Sequence, residues 1–93
     1  MIQTFGDKET LKIWNGEVSR KLPQEIQVIA RRKLRMLNAA FDIWDLRIPP
    51  SNHLEKLKGD RKAYYSIRIN GQWRIIFKWH QRSAFEAQII DYH

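Results

Sequence analysis

The hydrophobic pattern of the chain changes its period near residue 64, and this change limits the folds that the chain can adopt. Before that point, apolar residues recur at spacings of three and four, as on one face of a helix. After it, apolar and polar residues alternate, as in strands that bury one face. With a strand pattern over residues 1–5, the predicted order is β-α-α-β-β-β. We expect an α+β fold with two helices packed on one face of a small, mainly antiparallel sheet.

The two predicted helices have local start and stop signals. Asp7 is a suitable N-cap for a first helix that Asn15-Gly16 ends, and Pro23 lies in the first turn of a second, longer helix. Asn38 and Asp42 are the candidate breaks in this second helix, and Pro49-Pro50 ends helical structure. The apolar stripe that we expect to be buried comprises Ile26, Ala30, Leu34, Leu37, Phe41 and Trp44.

Length and composition exclude several classes of protein. Ninety-three residues suffice for one domain, which we predict to span residues 1–93. The chain has no cysteine, which excludes a disulfide framework, a thiolate metal site and a cysteine nucleophile. Uninterrupted apolar runs never exceed three residues, which is too short for a transmembrane helix or a signal-peptide core. We therefore expect a small, soluble, cytoplasmic protein of bacterial or phage origin.

Basic charge is concentrated in one part of the sequence. The formal net charge is +7, and residues 47–82 carry nine basic and two acidic side chains. The same segment contains the aromatic residues Tyr64, Tyr65, Trp73, Phe77 and Trp79. Basic residues interleaved with aromatic ones favour a polyanionic partner, and nucleic acid is the first candidate. A solvated basic surface, or a patch that binds an acidic protein, is the alternative.

The loop between the first two strands predicted after residue 64 determines which side chains share a face of the sheet. A two-residue turn at Asn70-Gly71 places Arg68 opposite Trp73, which mixes apolar and basic residues on both faces. A three-residue loop over residues 70–72 instead places all the apolar residues on one face, as burial requires. Arg68 then lies opposite Arg74, and such a pair predicts a bound anion, for example a phosphate, because like charges across a ladder repel. Two solvated arginines that do not converge are the alternative.

A basic segment precedes the arginine strands. Lys58 and Arg61 flank Gly59, which permits a tight turn whose N–H groups can face a phosphate. The motif is short, so a plain surface turn is the alternative. Glu55 is a carboxylate beside this loop, and a simple ion pair with Lys58 would account for it.

The sequence ends in Asp91-Tyr92-His93, three side chains that suit proton transfer. An imidazole titrates near neutrality, a phenol can donate a proton, and the carboxylate can orient either neighbour. The strand pattern of Ile89-Ile90 indicates that this end is held in the sheet, and a frayed end is the alternative. The other two histidines are His53 and His80, of which we expect His80 to be solvated. No spacing of His, Asp and Glu resembles a metal site, so we predict no metal or other cofactor.

Several short motifs occur together in an order that is typical of one family. They are Ala39-Ala40 before Asp45-Leu46-Arg47, Pro49-Pro50-Ser51-Asn52, residues 54–61 (LEKLKGDR), residues 66–70 (SIRIN), residues 72–75 (QWRI) and Asp91-Tyr92-His93. By these motifs the chain resembles, over essentially its whole length, the HigB-type toxins of the RelE/ParE superfamily, also described as plasmid maintenance system killer proteins.

This resemblance implies a microbial-RNase-like fold and a ribosome-dependent endonuclease that cuts mRNA in the ribosomal A site without a metal. It also implies an antitoxin partner of the HigA type, a helix-turn-helix protein that neutralises the toxin and represses their operon. Contact with operator DNA is then indirect, and no membrane partner is expected. A ParE-like toxin, which inhibits DNA gyrase and cleaves no nucleic acid, shares this fold and is the alternative.

The resemblance also indicates the site residues. Asp91, Tyr92 and His93 match the catalytic cluster of the family, and Arg74 matches the arginine that follows the strand tryptophan. Arg68 joins this catalytic set through the register argument.

The resemblance and the local charge together indicate the RNA-binding residues. Lys58 matches the basic loop residue of the family. Some members use a histidine just upstream of that loop; His53 lies near this position, which Glu55 occupies. The candidates for RNA or phosphate binding are His53, Lys56, Lys58, Arg61 and Lys62. We expect basic faces at residues 31–35 and 56–62 to dock on ribosomal RNA.

Overall fold

The computed structural model describes residues 1–92. Helix α1 spans Lys8–Trp14 and helix α2 spans Gln24–Ala39. Short 3-10 helices follow at Ile43–Arg47, Pro50–Asn52 and Gly59–Arg61. The strands are β1 (Glu55–Lys56), β2 (Tyr65–Arg68), β3 (Trp73–His80) and β4 (Ser83–Asp91). They form one antiparallel sheet in the order β1-β2-β3-β4, which confirms the predicted α+β class.

Helix α2 supplies the main apolar face that covers the sheet. Its buried residues Ile26, Ala30, Leu34 and Leu37 belong to the same core cluster as Ile67, Ile75 and Phe77 of the strands. Helix α1 begins as predicted, because Asp7 Oδ1 accepts a hydrogen bond from the N–H of Thr10 at 2.7 Å. No helix within residues 1–92 combines the length and the apolar character that crossing a membrane requires.

The buried stripe of α2 is shorter than the sequence predicted. The helix ends at Ala39, and Asp42 then caps a 3-10 helix by accepting from the N–H of Trp44 at 2.9 Å. The expectation that Phe41 and Trp44 continue the stripe is wrong, since they are 63% and 55% exposed. The break changes the direction of the chain, so the 3.6-residue period no longer places these positions over the sheet.

The β2–β3 hairpin has the register that the three-residue loop predicts. Ile67 pairs with Ile75, and Arg68 pairs with Arg74. The side chain of Asn70 closes the loop, since its Oδ1 accepts from the N–H of residue 72 at 2.9 Å and of residue 73 at 2.8 Å. One face of the hairpin is therefore buried against the helices, and the opposite face carries both arginines.

The N-terminal segment lies along the free edge of β4 but does not form the regular strand predicted for residues 1–5. It makes two isolated parallel bridges, Ile2 with Ala84 and Phe5 with Ala87. Between these bridges β4 contains a bulge, at which Glu86 adopts a left-handed conformation with φ of 54°. There the N–H of Glu86 donates to the hydroxyl of Thr4 at 2.8 Å, so a side chain takes the place of the backbone acceptor. The bulge thus interrupts the parallel pairing.

Glu86 also joins a polar cluster beside the bulge. Its Oε1 accepts from the hydroxyl of Tyr64 at 2.8 Å, and its Oε2 lies 2.9 Å from Nζ of Lys78. The hydrogen bond from Lys78, followed by that from Tyr64, lowers the pKa of Glu86. The same pairing raises the pKa of Lys78. The carboxylate therefore links β4 to Lys78 of β3 and to Tyr64, the residue before β2.

A buried lysine connects α2 to the loop before β1. Lys33 is 5% exposed, and its Nζ donates to Oδ1 of the fully buried Asn52. Nδ2 of Asn52 in turn donates to the carbonyl oxygen of Leu46 at 3.2 Å. Burial lowers the pKa of Lys33, because desolvation disfavours the charged amine. The neutral side chain of Asn52 thus accepts a hydrogen bond from Lys33 of α2 and donates one to the backbone of Leu46.

Replacing Asn52 should destabilise the fold more than replacing Lys33. Asn52→Ala leaves the amine of Lys33 buried without this acceptor, and we expect the free energy of unfolding to fall by about 3 kcal/mol. Lys33→Met leaves only a neutral amide oxygen unpaired, and we expect a loss of about 1 kcal/mol. Urea unfolding at neutral pH measures both values. Equal losses would contradict the role given to Asn52.

The Glu86 cluster should make stability depend on pH in the acidic range. Because the folded-state pKa of Glu86 is lowered, its ionised form stabilises the fold above the ordinary pKa of a glutamate. That contribution is lost as the pH falls through the lowered pKa. Glu86→Gln should therefore show a smaller fall in Tm than the wild type below roughly pH 4. Glu17→Gln, at an exposed position before α2, is the control and should follow the wild type. If Tm falls equally with pH in all three proteins, Glu86 makes no such contribution to stability.

Candidate active site

A surface cavity of about 410 Å³ lies beside β1. It is lined by Glu55, Lys56, Leu57, Lys58, Arg61 and Tyr92. The cavity thus brings the predicted basic loop together with a residue of the C-terminal motif. Gly59 has φ of 66°, which confirms the predicted tight turn and positions Lys58 and Arg61 on either side of it.

Arg74 of β3 is fixed by oxygen atoms from three other segments. Its Nη1 lies 3.0 Å from Oε1 of Glu55 and donates to Oγ of Ser66 at 2.7 Å. It also donates to the carbonyl oxygen of His53 at 3.3 Å. The Arg74 side chain is only 15% exposed. These contacts hold the guanidinium in one orientation, which a residue that binds a phosphate requires.

Arg68 and Arg74 face each other in the ladder, but their guanidinium groups have different surroundings. Nη2 of Arg68 lies over the β2–β3 loop, 3.7 Å from where a Cβ on Gly71 would be. The anion beside Arg74 is the carboxylate of Glu55. The structure therefore pairs Glu55 with Arg74, whereas the sequence pointed to Lys58. The contact with Glu55 is made by Arg74, and the guanidinium of Arg68 lies near Gly71 instead.

The C-terminal motif is held against the β2–β3 loop as far as residue 92. The N–H of Tyr92 donates to the carbonyl oxygen of Gln72 at 2.6 Å, and Oδ2 of Asp91 accepts from Nε2 of Gln72 at 3.0 Å. The guanidinium carbon of Arg74 lies 5.2 Å from the centre of the Tyr92 ring, within the range of a cation–π contact. Tyr92 and Arg74 are thus adjacent. The predicted site residue His93 lies outside the described residues.

The remaining predicted residues occupy three kinds of position. His53 takes part in the site through its carbonyl oxygen, and its backbone is left-handed with φ of 44°. The amine of Lys56 donates to the carbonyl oxygen of Lys62 and lies 4.7 Å from the centre of the Tyr65 ring. Lys62 is exposed beside the cavity loop. His80 is exposed at the far end of β3, as expected.

The sequence did not reveal the roles of Glu55 and Ser66. Both lie on the face of the sheet that carries Arg74, because Glu55 pairs with Ser66 across the β1–β2 ladder. Strand β1 is only two residues long, which is too short for an alternating pattern. The sequence did contain a signal for Ser66. It lies two positions before Arg68 in β2, so its polar side chain is on the same face of the sheet as the arginines. Among residues 1–92, His, Asp and Glu side chains form no group of three that could hold a metal ion.

Comparison with known proteins assigns the chain to a family. Residues 3–93 match the family model described as the RelE-like toxin of the type II toxin–antitoxin system HigB. The chain belongs to this HigB family. Toxin HigB-1 of Vibrio cholerae serotype O1 is 48% identical over 80 residues, which are 85% of this chain and 84% of that protein. Endoribonuclease HigB of Proteus vulgaris is 29% identical over the full length of both chains. These matches confirm the expected resemblance.

Two further similarities concern a partial relative and a solved structure. A Haemophilus influenzae protein is 44% identical over 64 residues, which are 69% of this chain and 63% of that protein. The match therefore covers less than two thirds of the length of this relative. The crystal structure of YafQ from Escherichia coli strain BL21(DE3) has a TM-score of 0.56 and 13% identity, and covers 98% of this chain and 93% of that one. At this identity the similarity shows a common fold.

Membership of the HigB family has two consequences. A toxin of a toxin–antitoxin system has an antitoxin partner, so the general expectation of a protein partner is confirmed. The family description and the named relatives support the toxin and endoribonuclease expectation. None of the matches described above supports the gyrase alternative.

Proposed function

We propose that this HigB-family toxin is a ribosome-dependent endoribonuclease that cleaves mRNA without a metal and so inhibits translation. The observation that carries the proposal is the fixed guanidinium of Arg74 beside Tyr92, at a cavity whose loop supplies Lys58 and Arg61. The name of the Proteus vulgaris relative, Endoribonuclease HigB, supports the class of reaction.

The cavity and the adjacent Arg74 supply cations and a phenol, which are groups that cleavage of an RNA backbone can use. The 2′-oxygen attacks the adjacent phosphorus, so negative charge builds up on the phosphate in the transition state. Arg74, Arg68 and Lys58 are proposed to stabilise that charge, and Arg61 to bind the neighbouring phosphate. Proton transfer is proposed for the C-terminal residues Tyr92 and His93, with Asp91 orienting them.

The ribosome is proposed as the partner that presents mRNA to this cavity. One argument is size, because a 93-residue domain offers little surface for recognising mRNA alone. A second is charge, because exposed Arg32 and Arg35 on α2, with Lys62 beside the cavity, supply basic surfaces for ribosomal RNA. The antitoxin is proposed to be a HigA-like helix-turn-helix protein, through which the toxin contacts operator DNA indirectly in the cytoplasm.

Removing the arginine of the site should abolish most of the activity. Arg74→Ala should lower the rate of mRNA cleavage on programmed ribosomes by about 10²- to 10³-fold, because one donor to the transition state is lost. Deletion of His93 should have an effect of similar size. Arg82→Ala, at an exposed arginine in the β3–β4 turn, is the matched control and should cleave normally.

The cleavage assay also tests dependence on the ribosome, and a gyrase assay beside it tests the alternative function, inhibition of DNA gyrase. Mapping of mRNA 5′ ends with and without ribosomes should show cleavage only when ribosomes are present. Efficient cleavage of naked mRNA at physiological salt would contradict ribosome dependence. Inhibition of DNA supercoiling by gyrase, with no new mRNA 5′ ends, would contradict the proposed function. A folded Arg74→Ala variant with the wild-type rate would remove Arg74 from the site.

The two loop cations should contribute measurably to phosphate binding. Each phosphate contact on single-stranded RNA adds about 0.7 to the slope of log affinity against log salt, so Lys58→Ala with Arg61→Ala should reduce the slope by about 1.4. The measurement is a salt series of fluorescence anisotropy with a 2′-O-methyl RNA, which cannot be cleaved. Lys8→Ala with Lys12→Ala, on α1, is the control pair and should leave the slope unchanged. An unchanged slope for the loop pair would show that these cations do not contact phosphate.

A further inference from the structure

Glu55 is a carboxylate at the cavity to which the proposed mechanism has so far given no role. It lines the cavity together with Tyr92 and Lys58, and its Oε1 lies 3.0 Å from Nη1 of Arg74. Its side chain is 47% exposed, whereas that of Arg74 is 15% exposed. The arginine is thus anchored, and the carboxylate beside it remains open to a substrate.

We propose that Glu55 is the general base that takes the proton from the attacking 2′-hydroxyl of the RNA. This inference rests on the proposed endoribonuclease function. As the carboxylate takes the proton, the 2′-oxygen forms a bond to phosphorus and the bond from phosphorus to the 5′-oxygen breaks. The products are a 2′,3′-cyclic phosphate and a 5′-hydroxyl, whose proton comes from a separate acid among the C-terminal residues.

The position of Glu55 relative to Arg74 supports this role. In RNA the attacking 2′-oxygen and the 3′-oxygen that carries the scissile phosphate are on neighbouring carbons of the same ribose. A phosphate bound by Arg74 therefore brings the 2′-hydroxyl next to the groups that surround Arg74. Among the described residues, the acceptors of Arg74 lie at Nη1, which leaves Nη2 for a phosphate oxygen. Glu55 is the carboxylate in this set of acceptors, and Ser66 and the carbonyl of His53 are weaker bases.

Glu55 lies among cations, at a cavity that it shares with a residue of the C-terminal motif. The charged groups around it are Arg74 from β3, Lys56 from its own strand, and Lys58 and Arg61 from the loop. Tyr92 faces the same cavity from the C-terminal side. The proposed base on β1 and an acid at the C-terminal end thus reach the same cavity from different parts of the chain, and displacement at phosphorus needs two such groups.

The test compares single-turnover cleavage on programmed ribosomes across pH for the wild type, Glu55→Gln and Asp60→Asn. Asp60 is an exposed carboxylate in the same basic loop that is not among the cavity residues, so it is the matched control. Glu55→Gln should lower the rate by about 10²- to 10⁴-fold and abolish the loss of rate at acidic pH. Its affinity for 2′-O-methyl RNA should be unchanged or higher, because the amide keeps a contact to Arg74 without the negative charge. Asp60→Asn should match the wild type.

A substrate with sulfur in place of the bridging 5′-oxygen distinguishes a base from an acid. A thiolate leaves without being protonated, so a variant that lacks the acid should recover on this substrate. Glu55→Gln should remain slow on it, whereas Tyr92→Phe or deletion of His93 should regain rate. Glu55→Asp, which keeps the carboxylate, should retain the acidic limb of the pH profile at a reduced rate.

The outcomes separate this inference from the proposed function. Recovery of Glu55→Gln on the sulfur substrate would make Glu55 the acid and overturn the inference. A wild-type rate for Glu55→Gln would also overturn it, while the wild type would still be a ribosome-dependent nuclease. A lower rate with weaker RNA binding and an unchanged pH profile would show that Glu55 only positions Arg74. Absence of cleavage by the wild type would refute the proposed function itself.

Discussion

Burial of one face of the β2–β3 hairpin is the constraint on which the rest of this structure depends. Ile67, Ile75 and Phe77 pack against α2, and all three are completely buried. Because side chains alternate along a strand, this burial places Arg68 and Arg74 on the opposite face. The core therefore determines on which face of the sheet these two arginines lie.

The orientation of Arg74 depends on a second, polar set of contacts. The 3-10 helix that ends at Asn52 leads directly into His53, whose carbonyl oxygen accepts from Arg74. Asn52 is in turn anchored to α2 through the buried Lys33. A helix on one side of the sheet thus supports an arginine on the other. This arrangement suits the proposed role of Arg74 in binding a phosphate, since preorganised donors need no reorientation when charge develops.

The electrostatic character of the site is mixed. The sequence concentrates cations in residues 47–82, which is typical of a surface that binds nucleic acid. The fold then places the carboxylate of Glu55 among them, beside Arg74. A purely basic cavity could bind RNA but would lack a group of this kind to accept a proton. The cations are consistent with a member of the HigB family, and the carboxylate is the group that we propose as the acceptor of the proton.

The sequence by itself determined the fold class, the hairpin register and the basic loop, because each depends on local periodicity, capping or turn chemistry. It misplaced Phe41 and Trp44, since a helix break at residues 40–42 is decided by competing caps. Only the tertiary structure paired Glu55 with Arg74 and brought the His53 carbonyl to the same guanidinium. These contacts join residues about twenty positions apart through a two-residue strand, too short to leave a periodic signal. Local patterns indicate which face a residue occupies, and the long-range packing of loops decides which residues meet there.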